Sequence, residues 1–267
     1  MKLTEKQINS IYGFIIGDCL GVPYEFTQPK IKTLKMIGNG THDQPKGTWS
    51  DDTSFLLATL DCDFLDKNTL LDNMKRVGSQ YTSDGYLFDI GGATLDALKG
   101  KKNTDFILQD GNGSLMRILP YSFVEHEFLY EKIAESSYIT HQSAMASFCC
   151  VVYVKLIKEA LKGNYNFFEI LESEYDESGW HLSKYKLDDT LTYNGFVWHS
   201  LLAVVDIADK AKSYSGGVKM AINLGGDTDT HSALVGALLA IKFNDWKKFV
   251  KEIRNVETVK NVINKRK

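Results

Sequence analysis

The stretch GFIIGDCLG, from Gly13 to Gly21, places a glycine at every fourth residue of an apolar segment. Residues four apart lie on the same face of an α-helix, so these glycines leave one face as bare backbone that another helix can approach closely. Upstream, Thr4 and Gln7 have the spacing of a capping box. We therefore predict a first helix that starts after Thr4 and ends at about Gly21.

Outside this stretch, apolar residues recur at helical spacing along most of the 267-residue chain, which contains only four prolines. This pattern favours helices over strands, and we predict them at about 51–65, 69–82, 90–100, 129–138, 142–162, 166–176, 191–212, 215–223, 228–242 and 245–254. Residues 22–50 are predicted to form a loop, and the basic tail KNVINKRK a frayed end. No repeat or linker is visible, so residues 1–267 are predicted to form a single all-α domain.

The composition narrows the class of protein. The net charge is −3, which gives no reason to expect a nucleic-acid backbone or an anionic membrane as a partner. No apolar run reaches the roughly 20 residues of a membrane span, and the N-terminal MKLTEKQINS lacks a signal core. Because the cysteines show no CxxC spacing, we expect buried free thiols in a reducing compartment. Together with the missing signal core and membrane span, this predicts a cytoplasmic protein, which we also expect to be a monomer. The cysteines are Cys19, Cys62, Cys149 and Cys150.

Paired aspartates occur twice, each time before an apolar helical segment. GTWSDDTSF runs from Gly47 to Phe55, and NLGGDTDTHSAL begins at Asn223. Ser50 can cap a helix that begins at Asp51, where the helix dipole favours negative charge. Taken alone, Ser-Asp-Asp is an ordinary helix start that needs no chemistry. Its repetition after a glycine pair weakens that interpretation.

Together the two stretches supply hydroxyls and four carboxylates, those of Asp51, Asp52, Asp227 and Asp229. If the two helix starts meet, the like charges must be relieved by protonation or by cations. Ligand sets made only of oxygen suit magnesium or manganese better than calcium in this setting. The sequence therefore predicts a metal site.

Two other metal-aspartate motifs fit poorly. DTDTH is similar to the DxDx[TV] loop of haloacid-dehalogenase-like phosphatases, but His231 occupies the fifth position and the preceding GVKMAIN has a helical pattern. DDTSF is similar to the DDxxD of terpenoid synthases, but Phe55 occupies the place of the third acid.

Four stretches resemble, in order, the motifs of the ADP-ribosylglycohydrolase family, whose founding member is the dinitrogenase-reductase-activating glycohydrolase. GFIIGDCLGVPYEF (Gly13–Phe26) resembles its GxxxGDxxGxxxE segment, and GTWSDDTSF its G-x-W-[ST]-D-D-T. GNGSLMRILP (Gly111–Pro120) is similar to its NG-x-x-MR loop, and NLGGDTDTHSALVGAL to its GGD-[TS]-DT. FDIGGATLDAL and THQSAMA are weaker similarities. The matches extend from Gly13 to Leu238.

This resemblance implies a compact orthogonal helical domain with two divalent ions, Mg²⁺ or Mn²⁺, at the base of a cleft. The implied metal ligands are Ser50, Asp51, Asp52, Asp227, Asp229 and Thr230. His231 takes a place beside the cleft in this interpretation. Asp18, within the glycine-spaced helix, is expected to be structural.

The implied activity is hydrolysis of the bond between the anomeric carbon of ADP-ribose and an acceptor. The partner would be an ADP-ribosylated protein or a small ADP-ribosyl conjugate, with the linkage to arginine, serine, a nucleobase or a small molecule left open. The alternatives are a magnesium-dependent phosphohydrolase that acts on a diphosphate, and an inactive relative that only binds ADP-ribose.

Glu25 and Asp89 are the candidate acid/base residues, because both match segments that supply an acid in members of the family. A solvated loop glutamate and a helix-capping aspartate are their plain alternatives. Substrate binding is assigned to Gly91, Asn112, Gly113, Ser114 and His141, with the Asn-Gly turn offering N–H groups to a pyrophosphate. For Arg117 we favour a salt bridge with a buried carboxylate.

Overall fold

The structure, a computed structural model, describes residues 2–101, 109–177 and 193–266. These residues form α-helices and short 3₁₀ segments without a strand, so the predicted all-α class is confirmed. The helices are α1 Glu5–Gly21, α2 Asp51–Leu60, α3 Lys67–Met74, α4 Val77–Gln80, α5 Gly92–Leu98, α6 Leu129–Ser137, α7 Ala144–Lys162, α8 Phe167–Glu177, α9 Val197–Lys210, α10 Tyr214–Leu224, α11 Thr228–Lys242 and α12 Val256–Asn264. The 3₁₀ segments are Val22–Tyr24, Asn112–Arg117, Leu119–Phe123 and Lys247–Glu252.

The glycine face of α1 packs directly on the backbone of α11. A Cβ atom at Gly17 would lie 2.1 Å from the carbonyl oxygen of Ser232, and one at Gly13 would lie 2.3 Å from that of Gly236. At the end of α1, Thr228 Oγ1 donates a hydrogen bond to the Gly21 carbonyl at 2.9 Å, across 207 positions of sequence. At Gly13 the Ala240 Cβ lies as close as the Gly236 carbonyl oxygen, so small residues on both helices allow the close approach.

Asp18 projects from α1 toward the start of α2. Its Oδ1 accepts a hydrogen bond from the backbone N–H of Ser50 at 3.0 Å, and its Oδ2 accepts one from that of Thr53 at 3.0 Å. Both N–H groups belong to the unpaired first turn of a helix, so a buried carboxylate caps α2 from outside. The expected structural role of Asp18 agrees with these contacts, and α1 thereby positions both helix starts.

Helix α11 lies at the centre of the domain. Every residue from Thr228 to Ile241 is buried, as expected of a helix that is apolar on all sides. It contacts α1, α7, α9 and α10. The start of α11 is consequently held by packing on several sides rather than by a loop.

Several predicted boundaries are wrong. The helix predicted at 51–65 ends at Leu60, and the one predicted at 69–82 is divided into α3 and α4. Residues 245–254 were expected to be α-helical but contain the 3₁₀ segment Lys247–Glu252. The helix predicted to begin at 191 begins at Val197, and residues 191–192 lie outside the described residues.

The predicted frayed tail is also wrong, because α12 continues to Asn264. Val259, Val262 and Ile263 of this helix are buried, and the Arg266 guanidinium donates to the backbone oxygens of Leu60 and Cys62 at 2.9 and 2.7 Å. The apolar residues have helical spacing, which the basic charge of the segment obscured. The tail docks beside the end of α2.

Among the described residues, no helix has the length and apolarity needed to cross a lipid bilayer.

We expect Gly17→Ala to destabilise the protein, because its new Cβ would overlap the backbone of α11 and force the two helices apart. Overpacking of this kind typically costs about 1–3 kcal/mol of unfolding free energy. Urea unfolding would measure it. Gly78→Ala in α4 is the matched control, since its nearest neighbouring atom would lie at an ordinary 3.9 Å. Equal stability of the two variants would contradict the close backbone contact.

Candidate functional site

The two aspartate clusters meet in the folded chain, as the sequence predicts. Ser50 caps α2, its Oγ accepting from the Asp52 N–H at 3.2 Å. Thr230, in the first turn of α11, donates from Oγ1 to Asp52 Oδ2 at 3.2 Å. This hydrogen bond joins the two helix starts across 178 positions of sequence.

A glycine pair makes the turn into α11. Gly225 and Gly226 have φ angles of 75° and 68°, in the left-handed region that favours glycine. A Cβ at Gly226 would lie 2.2 Å from the Tyr193 carbonyl oxygen, which accepts a hydrogen bond from the Asp227 N–H at 2.7 Å. The turn and this hydrogen bond fix the position of Asp227.

A cleft of about 360 Å³ opens above the two helix starts. Most of the residues predicted from the sequence line it. They are Glu25, Asp51, Asp52, Asp89, Gly91, Asn112, Gly113, His141, Asp227 and Thr230. The remaining predicted residues, Ser50, Ser114 and Asp229, do not line the cleft.

Ser50 and Asp229 lie in the acidic cluster at the cleft base. Ser50 Oγ donates to Asp52 Oδ2 at 3.3 Å, and an oxygen of Asp229 lies within 4.8 Å of one from Glu25 and one from Asp227. Ser114 is different. Its Oγ faces the core and accepts from Ser137 Oγ at 2.9 Å, so its hydroxyl is not brought to the cleft.

Three carboxyl groups of the acidic cluster favour protonation when no cation is bound. The pKa values of Asp51, Asp52 and Asp229 all lie well above the usual range. Burial is the largest cause in each case, and the charge of a neighbouring carboxylate is the next. A protein gains nothing in stability from such a cluster by itself, so the arrangement favours a bound cation.

The donor set fits divalent ions. Asp52 Oδ1 and Asp229 Oδ2 are fully buried and have no hydrogen-bond partner, although buried polar atoms are normally paired. The oxygens of Glu25, Asp227 and Asp229 lie within 4.8 Å of one another. Carboxylate and hydroxyl oxygens are the ligands that Mg²⁺ and Mn²⁺ prefer.

Glu25 has a partner that the sequence analysis missed, His42 of the 22–50 loop. His42 Nε2 is hydrogen-bonded to Glu25 Oε2 and lies 3.9 Å from Asp89 Oδ1. The rings of Phe26 and Phe88 flank the imidazole, at centroid distances of 6.4 and 5.1 Å. The sequence gives no indication of this contact, because His42 belongs to no motif and only the path of the loop brings it to Glu25.

Glu25 and Asp89 share one wall of the cleft. Burial, followed by the charge of Asp89, raises the pKa of Glu25 to about 11, and burial also raises the pKa of Asp89. Asp89 adopts the left-handed conformation at φ 66°, which aspartate tolerates better than most residues. Backbone conformations that residues other than glycine rarely adopt are concentrated at active sites and ligand-binding positions.

Asn112 contacts a predicted metal ligand directly. Its Nδ2 donates to Asp227 Oδ2 at 2.7 Å and to Ser200 Oγ at 3.1 Å. The amide therefore orients the Asp227 carboxylate from the cleft wall. Ser200 was not predicted, since it is a single serine in the first turn of an apolar helix, α9.

Arg117 is fully buried, and the salt bridge predicted for it is absent from the described ion pairs. Its guanidinium donates instead to Ser136 Oγ at 2.8 Å, to the Ser136 carbonyl at 2.7 Å and to Thr140 Oγ1 at 3.1 Å. His231 is buried beside the cleft, as predicted, with its ring edge-on to Tyr193 at 5.9 Å.

Several known proteins are similar to this chain. A protein of Acanthamoeba polyphaga mimivirus, provisionally named ADP-ribosyl glycohydrolase L543, is 26% identical over 88% of this chain and 86% of its own length. Two proteins named ADP-ribosylarginine hydrolase Tri1 also match. The one from Pseudomonas putida is 26% identical over 89% of this chain and 70% of its own length, and the one from Serratia proteamaculans 24% over 88% and 70%.

The fold has a counterpart among solved structures. A chain described as an ADP-ribosylglycohydrolase-related protein complex superposes with a TM-score of 0.76 at 21% identity, covering 97% of this chain and 95% of that one. The family model for ADP-ribosylglycohydrolase matches residues 1–244, which include the acidic cluster and every residue predicted for the cleft. The chain therefore belongs to the ADP-ribosylglycohydrolase family.

Proposed function

We propose that this protein is a metal-dependent hydrolase that cleaves the bond between the anomeric carbon of ADP-ribose and an acceptor, and so releases ADP-ribose. The observation that carries the proposal is the acidic cleft base, where buried oxygens of Asp52 and Asp229 lack partners. Family membership and the names of the relatives support ADP-ribosyl hydrolysis. Because two relatives are named for ADP-ribosylarginine, that linkage is the first to test.

Two Mg²⁺ or Mn²⁺ ions would be held by the carboxylates and hydroxyls of the two helix starts, which are those of Ser50, Asp51, Asp52, Asp227, Asp229 and Thr230. Such ions supply Lewis-acid chemistry, by polarising water and orienting vicinal hydroxyls. Asn112 would hold the Asp227 carboxylate in its ligating orientation through the 2.7 Å hydrogen bond. An amide donor at that position also keeps the second carboxylate oxygen free.

The chain's own residues would bind the sugar and move the proton. The cleft lining beside the acidic base includes Gly91, Asn112, Gly113 and His141. A ribose would lie between these residues and the carboxylates. We assign the general base to Glu25, whose carboxylate lies among those of Asp227 and Asp229. Without cations its raised pKa keeps it protonated, so it would be ionised, and able to take a proton from the attacking water, only with cations bound beside it. Asp89 is the alternative, because it lines the same cleft in a segment that matches no metal-binding motif.

Product analysis tests the proposed reaction. Incubated with an ADP-ribosylarginine substrate and Mg²⁺ or Mn²⁺, the protein should release intact ADP-ribose, and chelation should stop the reaction. ADP-ribose itself should remain uncleaved. Release of AMP or phosphate would favour a phosphohydrolase acting on the diphosphate, and the absence of any product over a panel of linkages would favour an inactive binding protein.

Asp229→Ala should weaken Mn²⁺ binding by more than about tenfold, since even residues that only support metal ligands cost 10–100-fold when removed. Hydrolysis should fall to background. The metal-free variant should unfold at a higher temperature than the metal-free parent, because a buried carboxylate with a raised pKa is removed. Calorimetry and thermal unfolding measure both effects. Asp72→Ala, at an exposed carboxylate, is the control, and unchanged metal affinity in Asp229→Ala would exclude its ligand role.

Glu25→Gln and Asp89→Asn separate the two candidate bases. A general base contributes about 10²–10⁴-fold, so Glu25→Gln should lower turnover by that order and also weaken one metal site. Asp89→Asn should lower turnover with metal affinity retained, since asparagine tolerates the left-handed backbone. Steady-state rates and metal titrations of both variants show which of the two residues is the base. Normal turnover in Glu25→Gln together with an inactive Asp89→Asn would reverse the assignment.

A further inference from the structure

A chain of three buried side chains runs from the core to the cleft wall. Arg117, Thr140 and His141 are each 3% exposed or less. Arg117 Nη2 lies 3.1 Å from Thr140 Oγ1, which lies 2.8 Å from His141 Nδ1. Arg117 and His141 lie in separate sequence motifs, and Thr140 connects them in the folded chain.

The protons of this chain can be assigned from the chemistry of its groups. A guanidinium only donates, so the Thr140 oxygen must accept from Arg117. The Thr140 hydroxyl proton then needs an acceptor, and among its described contacts the only one is His141 Nδ1. A buried hydroxyl proton without an acceptor is costly. The lone pair of His141 therefore lies on Nδ1.

His141 is also neutral. Burial, followed by the positive charge of Arg117, lowers the pKa of the imidazole to about 3. A neutral imidazole carries one proton, and since Nδ1 accepts from Thr140, that proton lies on Nε2.

The Cε1–Nε2 edge of the His141 ring lies against Gly113, which also lines the cleft. The ring of His141 lines the cleft beside Gly113, and no described residue is hydrogen-bonded to its Nε2. A Cβ at Gly113 would lie 2.8 Å from His141 Cε1 and 3.1 Å from Thr94 Oγ1. Glycine at this position therefore leaves the ring room to stand at the cleft surface.

We propose that Thr140, held by Arg117, is a positioning residue that fixes His141 in the tautomer with its proton on Nε2. His141 then presents a fixed neutral hydrogen-bond donor to an acceptor oxygen of the ADP-ribosyl group. The identity of that ligand rests on the proposed function, whereas the tautomer is a property of the free protein. The two parts can therefore fail separately.

Nitrogen NMR of the protein labelled with ¹⁵N-histidine tests the tautomer directly. In the Mg²⁺-loaded protein at neutral pH, His141 should show an unprotonated Nδ1 and a protonated Nε2, assigned by the loss of its signals in His141→Gln. Thr140→Ser should keep this pattern, and Thr140→Val should move the two nitrogen signals toward each other. A proton on Nδ1 in the parent protein, or unchanged signals in Thr140→Val, would overturn the proposal. If Thr140→Val does not fold, the spectrum of the parent protein decides.

Calorimetry with free ADP-ribose tests the donor. The amide nitrogen of glutamine can occupy the place of Nε2 and that of asparagine the place of Nδ1, so His141→Gln should bind within a few-fold of the parent. His141→Asn should bind about 10- to 100-fold more weakly, the cost of one hydrogen bond to a charged group. Equal binding by both variants would exclude the donor role. If the parent protein binds no ADP-ribose, the proposed ligand is wrong while the tautomer result stands.

Discussion

The bare backbone face of α1 is the constraint on which the rest of the structure depends. Contact between Gly17 and the Ser232 carbonyl leaves no space for a side chain at position 17, so backbone atoms set how closely α1 and α11 approach there. Asp18, one residue along the same helix, caps α2. A single helix therefore fixes the positions of both acidic helix starts. Neither start could shift without breaking a buried contact with α1.

This rigidity explains how like charges can be held together. The carboxyl groups of Asp51, Asp52 and Asp229 favour protonation, and in a softer scaffold their repulsion would be relieved by movement. Here the backbone contacts of α1 and α11 prevent such movement, and protonation relieves the repulsion instead. An entering cation would displace these protons and find its oxygen ligands already in place, which is how a preorganised site gains affinity.

The parts of the site carried by helix starts could be predicted from the sequence, because glycine spacing, capping residues and paired acids act locally. The clusters at Ser50 and Asp227 are examples. Contacts that depend on the path of the chain through a loop or a short 3₁₀ segment could not be predicted. His42 reaches Glu25 only through the folded 22–50 loop. In the 3₁₀ segment Asn112–Arg117 the Ser114 hydroxyl faces the core, whereas Asn112 and Gly113 line the cleft.

Arg117 and α12 show a second limit, since charge alone says little about partners. The positive charge of Arg117 suggested a salt bridge with a buried carboxylate. In the structure, neutral oxygens of Ser136 and Thr140 accept its hydrogen bonds instead. The basic charge of the tail suggested a solvated end, yet the apolar residues of α12 have helical spacing and are buried against the core.

The contact between Gly21 and Thr228 joins residues 207 positions apart, and this has a consequence for synthesis in the cell. A ribosome adds about 5–20 residues per second, so α1 emerges roughly 10–40 s before its partner. During that interval its apolar sides have no α11 to cover them. The nascent chain thus exposes an apolar segment early, at the stage when chaperones bind such surfaces. The fold can be completed only after α11, the second-last of the described α-helices, has been synthesised.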